Sequence, residues 1–346
     1  MSKVQALLDA SIEPSTLRTY RSGVNKLEGW LGGVCGALRM PQPPLASAAD
    51  LRNVLAEPLL TGAFVASMAM EGLKAGTAST YLDGIAHFAT DLMGHPGPRS
   101  PGVALVLRGM KAEQPPKKEE PSIRVDTLRD MIAVVPSLGL HPIDAGAFLS
   151  AMVVGYYGAM RVSEYLISGD QAKLLTRGDV TFSPDGLSMT INLKRTKTNK
   201  SGVPELAVIP ARGAAAAVCP VAVVLKYLSL RDARFGSDPS KPFFGRVSGA
   251  ALTPRVFNAL LKRAGEATGV RDWRELGSHA FRAGSTTDAV ANGADFLAIK
   301  AHGRWRSDKA PASYIRKEGR RAAAARGQGF LDGPTGKRRD GPAGPA

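Results

Sequence analysis

Val180-Thr-Phe-Ser-Pro-Asp-Gly-Leu-Ser-Met-Thr-Ile-Asn-Leu193 is the stretch in which the hydrophobic period drops from about 3.6 to 2. Val180 and Phe182 precede a Pro184-Asp185-Gly186 turn, after which Leu187, Met189, Ile191 and Leu193 alternate with polar residues. That is the pattern of two antiparallel strands joined by a tight turn. A third strand is expected at about Glu205 to Ile209. Lys194 to Pro204 would form a basic tip between strands two and three, carrying Lys194, Arg195, Lys197 and Lys200. Around this small sheet the pattern is helical. A helix opens near Val125-Asp126-Thr127, a long one runs from about Ile143 to Ile167, and helices resume from Pro220. The expected fold class is therefore mainly α with a small antiparallel β-sheet, arranged as an α+β domain.

Before this block, residues up to about 113 read as five short helices. Pro14-Ser15-Thr16 offers an N-cap ahead of Leu17, Tyr20, Val24, Leu27 and Leu31. The others are expected at about Ala46 to Leu55, Leu59 to Lys74, Ala78 to Met93 and Val103 to Ala112, the middle pair separated by Gly76-Thr77. The charged, proline-rich run from Lys111 to Pro121 has no large hydrophobe and reads as an extended linker. The expected division is an α-helical domain at 1–113, a linker at 114–122, an α+β domain at 123–331 and a Gly/Pro-rich tail at 332–346. The tail's composition predicts disorder.

Composition narrows the function classes. The 346 residues suit two domains, and 44% hydrophobic content suits packed cores. No run of about eighteen apolar residues predicts a membrane helix, and Met1 to Ala10 has no secretory pattern. Cys35 and Cys219 lack metal-ligand or disulfide-framework spacing, which fits an intracellular, reducing compartment and two structural thiols. The net charge of +15 points to a polyanionic partner, nucleic acid first.

Taken singly, the chemical motifs are ordinary. Arg161 and Glu164, three apart at the end of the long helix, could be a simple salt bridge. Lys197 at a hairpin tip could be solvated, and Tyr314 could be a core tyrosine. Ser278 is a plausible N-cap for a helix that starts with His279 and Arg282, where backbone donors favour an anion. The order Arg161, Lys197, His279-x-x-Arg282, Trp305, Tyr314 is more specific. So is the spacing: 23 residues from Arg282 to Trp305 and 9 from Trp305 to Tyr314.

This constellation resembles the tyrosine recombinase (phage integrase) family, in its Cre-like variant with tryptophan at the second-histidine position. The resemblance covers about residues 122 to 330, and a helical core-binding domain ahead of a proline-bearing linker is similar to the family's layout. It implies that Tyr314 is the nucleophile that forms a 3′-phosphotyrosine bond. A free tyrosine has a pKa near 10, so only about one in a thousand is ionised at neutral pH and help is required. His279 would be the general base or proton donor, Arg161 and Arg282 the clamp on the phosphate oxygens, Lys197 the acid for the leaving 5′ oxygen, and Trp305 an N–H donor and packing group. Glu164 would orient Arg161. No cofactor is implied, neither metal nor nucleotide. The chain also lacks a phosphate-binding Gly-x-x-x-x-Gly-Lys-Ser/Thr loop.

Double-stranded DNA is the implied partner, gripped by a homotetramer on two sites with no membrane involved, in the nucleus or the nucleoid according to host. Arg18, Arg21, Lys26, Lys194, Arg195, Lys200, Arg304 and Arg306 are expected DNA contacts. Pro311, three residues before Tyr314, is expected to make that helix start late. Phe330 and Leu331 are expected to anchor on a neighbouring subunit. Two rivals stay open: a type IB topoisomerase-like relaxing enzyme and a catalytically silent DNA-binding protein. RNA binding finds no aromatic-stacking motif.

Overall fold

The computed structural model describes residues 6–7, 10–90, 100–116, 121–166, 174–194, 205–213 and 218–315. The chain divides into two compact units, Met1–Lys118 and Glu119–Ala346.

The first unit is helical among its described residues: α1 (Pro14–Ala37), α2 (Ala48–Ala56), α3 (Pro58–Met70), α4 (Ala75–Phe88) and α5 (Pro101–Glu113). Three of these open on proline, whose missing N–H costs nothing at a helix start. Pro14 is itself the first helical residue and no side chain caps it, so the expected Ser/Thr cap is replaced. The turn after α3 also differs from expectation. Gly72 adopts φ 77° and the amides of Gly72 and Leu73 return to Ala69 O and Met68 O, a Schellman closure. Gly76 lies inside α4 instead of ending a helix. Helices α1 and α4 approach through two glycines. A Cβ on Gly23 would sit 2.7 Å from the Tyr81 carbonyl oxygen, and one on Gly84 would sit 2.6 Å from Tyr20 Cα. Leu27, Leu31, Phe64, Val65, Met68, Leu82 and Ile85 fill the core between the helices.

The second unit begins with α6 (Val125–Val134), the 3₁₀ turn Val135–Leu138 and α7 (Pro142–Tyr157), whose residues are buried nearly all round. A four-residue helix, α8 (Val162–Tyr165), follows. The sheet then runs β1 (Val180–Phe182), β2 (Ser188–Leu193) and β3 (Glu205–Pro210), antiparallel in the order β1-β2-β3. Val180 pairs with Ile191, and Ile191 with Ala207. Met189, Ile191, Leu193, Ala207 and Ile209 face the core, while Leu187 lies exposed in the turn. Helices α9 (Pro220–Phe235), α10 (Pro254–Ala267), α11 (His279–Ala291) and α12 (Phe296–His302) complete the unit, with residues 309–315 forming a last helix, α13. No described helix is long and apolar enough by itself to span a membrane; α2 and α3 reach that length only together, across an 89° bend.

The chain entering this unit is strapped across α11. The Ile123 amide donates to Ala280 O, and the Val125 amide to Asp288 Oδ2. Arg124 and the Tyr156 hydroxyl engage the same carboxylate. A Cβ on Gly284 would fall 1.7 Å from the Ile123 carbonyl oxygen, so only glycine lets the strand lie this close.

The long helix expected from Ile143 to Ile167 is broken. It stops at Gly158, and Ala159 turns left-handed at φ 44°. The amides of Ala159 and Met160 return to Tyr156 O and Gly155 O. This is again a Schellman closure, with alanine where glycine is usual.

Candidate active site

The site is assembled where two helices end. Helix α12 finishes as α7 does: after Gly303, Arg304 is left-handed at φ 52°, and the amides of Arg304 and Trp305 return to Ala301 O and Lys300 O. Each closure leaves carbonyl groups pointing past the helix end, at the negative pole of the helix dipole. Arg282, on the first turn of α11, bridges both. Its Nη1 donates to Ala159 O at 2.6 Å and its Nη2 to Gly303 O at 2.5 Å. The residue is only 2% exposed. Its pKa is pushed down to about 10, chiefly by burial and then by the nearby positive charge of Arg161. Glu164 and Tyr314 act in the opposite sense on the same guanidinium.

Arg161 does not issue from a continuous helix. It is the N-cap of α8, and Glu164 at N3 accepts its amide at 2.9 Å and its Nη1 at 2.7 Å. The Glu164 side chain is 1% exposed, and it also accepts Arg304 Nη2 at 3.0 Å. One carboxylate thus sits between two guanidinium groups.

Trp305 packs back over Gly303, where an added Cβ would lie 2.0 Å from ring carbon Cζ3. The guanidinium carbon of Arg282 stands 4.3 Å from the Trp305 ring centre, a cation–π contact. The other side of the chain of contacts is Tyr314, whose ring centre is 6.2 Å from that of Trp305. Tyr314 is half-buried on α13. That helix starts upstream of Pro311, not after it: Ala312 donates to Asp308 O, and the proline occupies the first turn, where no amide is needed. Arg161, Arg282, Trp305 and Tyr314 are therefore brought together, with Glu164 behind Arg161.

His279 is exposed at the start of α11, one turn before Arg282. Ser278 does not cap that helix with its side chain; it is buried, and its amide donates to Asn258 Oδ1 at 3.0 Å. Lys197, Arg195 and Lys200 lie outside the described residues, as do Phe330, Leu331 and the tail.

The expected DNA contacts divide. Arg18 and Arg21 on α1 and Arg306 after α12 are exposed. Lys26 is paired with Glu71, and Lys194 with Asp179 at 2.8 Å. Arg304 differs from expectation. Its side chain is 8% exposed and its guanidinium faces inward, donating to Gly158 O at 3.1 Å and His302 O at 2.9 Å as well as to Glu164. Nothing in the sequence marks it as inward, because arginine is rare at a left-handed helix end and an arginine two residues from a basic neighbour reads as solvated. Both cysteines are free and half-buried. Among the described residues no three His, Cys, Asp or Glu side chains gather as a metal site.

The fold of the chain is similar to that of solved site-specific recombinases and integrases. Among solved structures, the chain is similar to the XerH site-specific recombinase bound to difH substrate before cleavage (TM-score 0.56, 15% identity, covering 86% of this chain and 76% of that one). It is also similar to a lambda integrase dimer bound to a COC′ core site (TM-score 0.53, 17% identity, 90% and 91%). A third is the Tn1549 transposon integrase in complex with transposon right-end DNA (TM-score 0.52, 13% identity, 86% and 94%). No protein-family model matches the sequence, and no curated protein is similar to it at the sequence level.

Proposed function

We propose that the protein is a site-specific DNA recombinase, a tyrosine-type strand transferase that cuts and rejoins DNA through a 3′-phosphotyrosine intermediate. The observation that carries this reading is the continuous contact from the buried Arg282 guanidinium through the Trp305 ring to Tyr314, with Arg161 held alongside by Glu164. The fold shared with recombinases supports it.

In the reaction, the Tyr314 oxygen attacks phosphorus while its proton passes to His279 or water. The P–O5′ bond breaks, and Lys197 protonates the leaving 5′ oxygen. Arg161 and Arg282 bear on the non-bridging oxygens, where charge builds up in the pentavalent state. Loss of one such donor typically costs about 10²–10³ in rate. A 5′ hydroxyl from the partner strand then attacks the phosphotyrosine, which frees Tyr314 and restores the phosphodiester. The bond energy stays in the covalent link, so the scheme needs no nucleotide. Arg18, Arg21 and Arg306 would contact phosphates, the first unit would help clamp the duplex, and four copies would act on two sites.

The test is a pool of nicked duplexes with randomised sequence, from which a cleaved 5′ fragment diffuses away and traps the adduct. Wild type should yield covalent protein–DNA whose sequencing gives the target, and Tyr314→Phe should yield none. Adduct surviving in Tyr314→Phe, or no adduct from wild type at any sequence, would overturn the proposal. Relaxation of supercoiled plasmid lacking the recovered target would instead favour a topoisomerase.

A further inference from the structure

We infer that Arg304 is a positioning residue for the strand-transfer site, a third guanidinium that acts through Glu164 and never touches DNA. The inference rests on the recombinase reading above. Three observations on one residue support it. Its guanidinium is almost fully enclosed, and its three assigned bonds go to Glu164, Gly158 O and His302 O. Those acceptors belong to three different pieces of the site: the Arg161-bearing turn, the end of α7 and the end of α12. The backbone supplies the third: Arg304 occupies the left-handed position that closes α12, which favours glycine and which side-chain-bearing residues adopt at a cost.

The physical role follows from the geometry. Glu164 is buried and holds Arg161 through its amide and its Nη1. Both of those bonds come from one short turn, so by themselves they fix the carboxylate to that turn alone. Arg304 adds a second donor to Oε2, the oxygen that already accepts the Arg161 amide, and ties it to the Gly158 carbonyl, which lies next to Ala159, an acceptor for Arg282. The same backbone turn carries Trp305. Arg304 therefore sets the relative placement of both phosphate-clamping arginines and of the tryptophan between Arg282 and Tyr314. The planar fork matters, since only it can span a carboxylate and two carbonyls at once.

The experiment uses the full-length protein and the duplex recovered by trapping. Arg304→Gly suits the left-handed backbone, so it removes the fork while keeping the helix end, and Arg304→Lys keeps the charge without the fork. Three quantities are measured: the single-turnover rate constant for adduct formation at saturating DNA, the Kd for intact duplex, and the slope of log Kd against log salt concentration. Both variants should form adduct about 10- to 100-fold more slowly, by analogy with the loss when residues that orient metal ligands are removed. Affinity and salt slope should stay those of wild type, and in Glu164→Gln the further loss from Arg304→Gly should largely vanish. A fall in the salt slope of about one would make Arg304 a phosphate contact. A merely structural role would lower the reactive fraction and leave the rate constant of the folded protein unchanged. Either result overturns the inference. If Arg304→Gly does not fold, Arg304→Lys decides it by the same readouts, and wild-type adduct formation separates this failure from failure of the recombinase reading.

Discussion

The two units of this chain are both helix-rich, yet they are held together by different physics. In the first, the described core is apolar and the helices meet through small residues. Gly23 and Gly84 let α1 and α4 nearly touch, and Thr61 and His87 are the buried polar side chains. In the second, Glu164, Asp179, Arg231, Arg282 and Asp288 are buried among the helices. Buried charge is costly unless its partners are fixed. Each of these groups is accordingly met by a helix-end carbonyl, a cap amide or an opposite charge. The first unit should thus be sensitive to volume and the second to loss of a single partner.

The largest effect should come from breaking the charge network. Arg282→Met leaves the carbonyls of Ala159 and Gly303 without their donor and Glu164 among fewer cations. It should destabilise the second unit by about 3–5 kcal/mol, read as a shift in the urea midpoint of that unit's transition. A midpoint unchanged within error would mean that the guanidinium is a passenger. Next comes a change of volume in the first unit. Gly84→Ala pushes a methyl group against Tyr20 Cα and should cost about 1–3 kcal/mol, with the transition of the second unit unmoved. Equal loss in both transitions would show that the units do not respond independently.

The smallest expected effect is alkaline. Tyr156, Tyr165 and Tyr227 have pKa values raised above 10.0 by burial, helped at Tyr156 by Asp288 and at Tyr165 by Glu164. A raised folded pKa gives stability that is complete below the unfolded value and is lost as pH rises beyond it. Arg282 runs the other way: its lowered pKa means that its burial penalty is relieved between about pH 10 and 12.5. Three groups outweigh one, so the Tm of the second unit should fall by roughly a few degrees between pH 9 and 11. Tyr156→Phe should flatten that fall. A Tm that rises with pH would mean the arginine dominates.

Much of this was legible in the residues. Alternation marked β1 to β3, and a three- or four-residue spacing marked the helices of both units. The order and spacing from Arg161 to Tyr314 singled out six side chains, of which the fold brings Arg161, Arg282, Trp305 and Tyr314 together, while Lys197 lies outside the described residues. What escaped the reading was set by backbone closures. Ala159 ends α7 in a conformation usually given to glycine, so a continuous helix was expected across it. The same closure at Arg304 turns inward a side chain that looked like one more basic surface group. Ser278 was expected to cap α11 because its residue type favours caps, but its amide was taken by Asn258 and its side chain was not used. Pro311 was expected to delay α13, whereas a first turn accepts proline readily. For Ala159, Arg304 and Ser278 a long-range partner or a left-handed residue decided, and neither has a local signature.

The strap over α11 has a practical consequence for anyone who wishes to handle the second unit separately. Its first residues are tied to the helix that carries Arg282: the amides of Ile123 and Val125 and the side chain of Arg124 bond to it. A fragment that starts at the first regular helix, Val125, would remove the Ile123 backbone that lies over Gly284 and deprive Asp288 of Arg124. The cut belongs upstream of Pro121, so that Ile123, Arg124 and Val125 stay with the helix they bind.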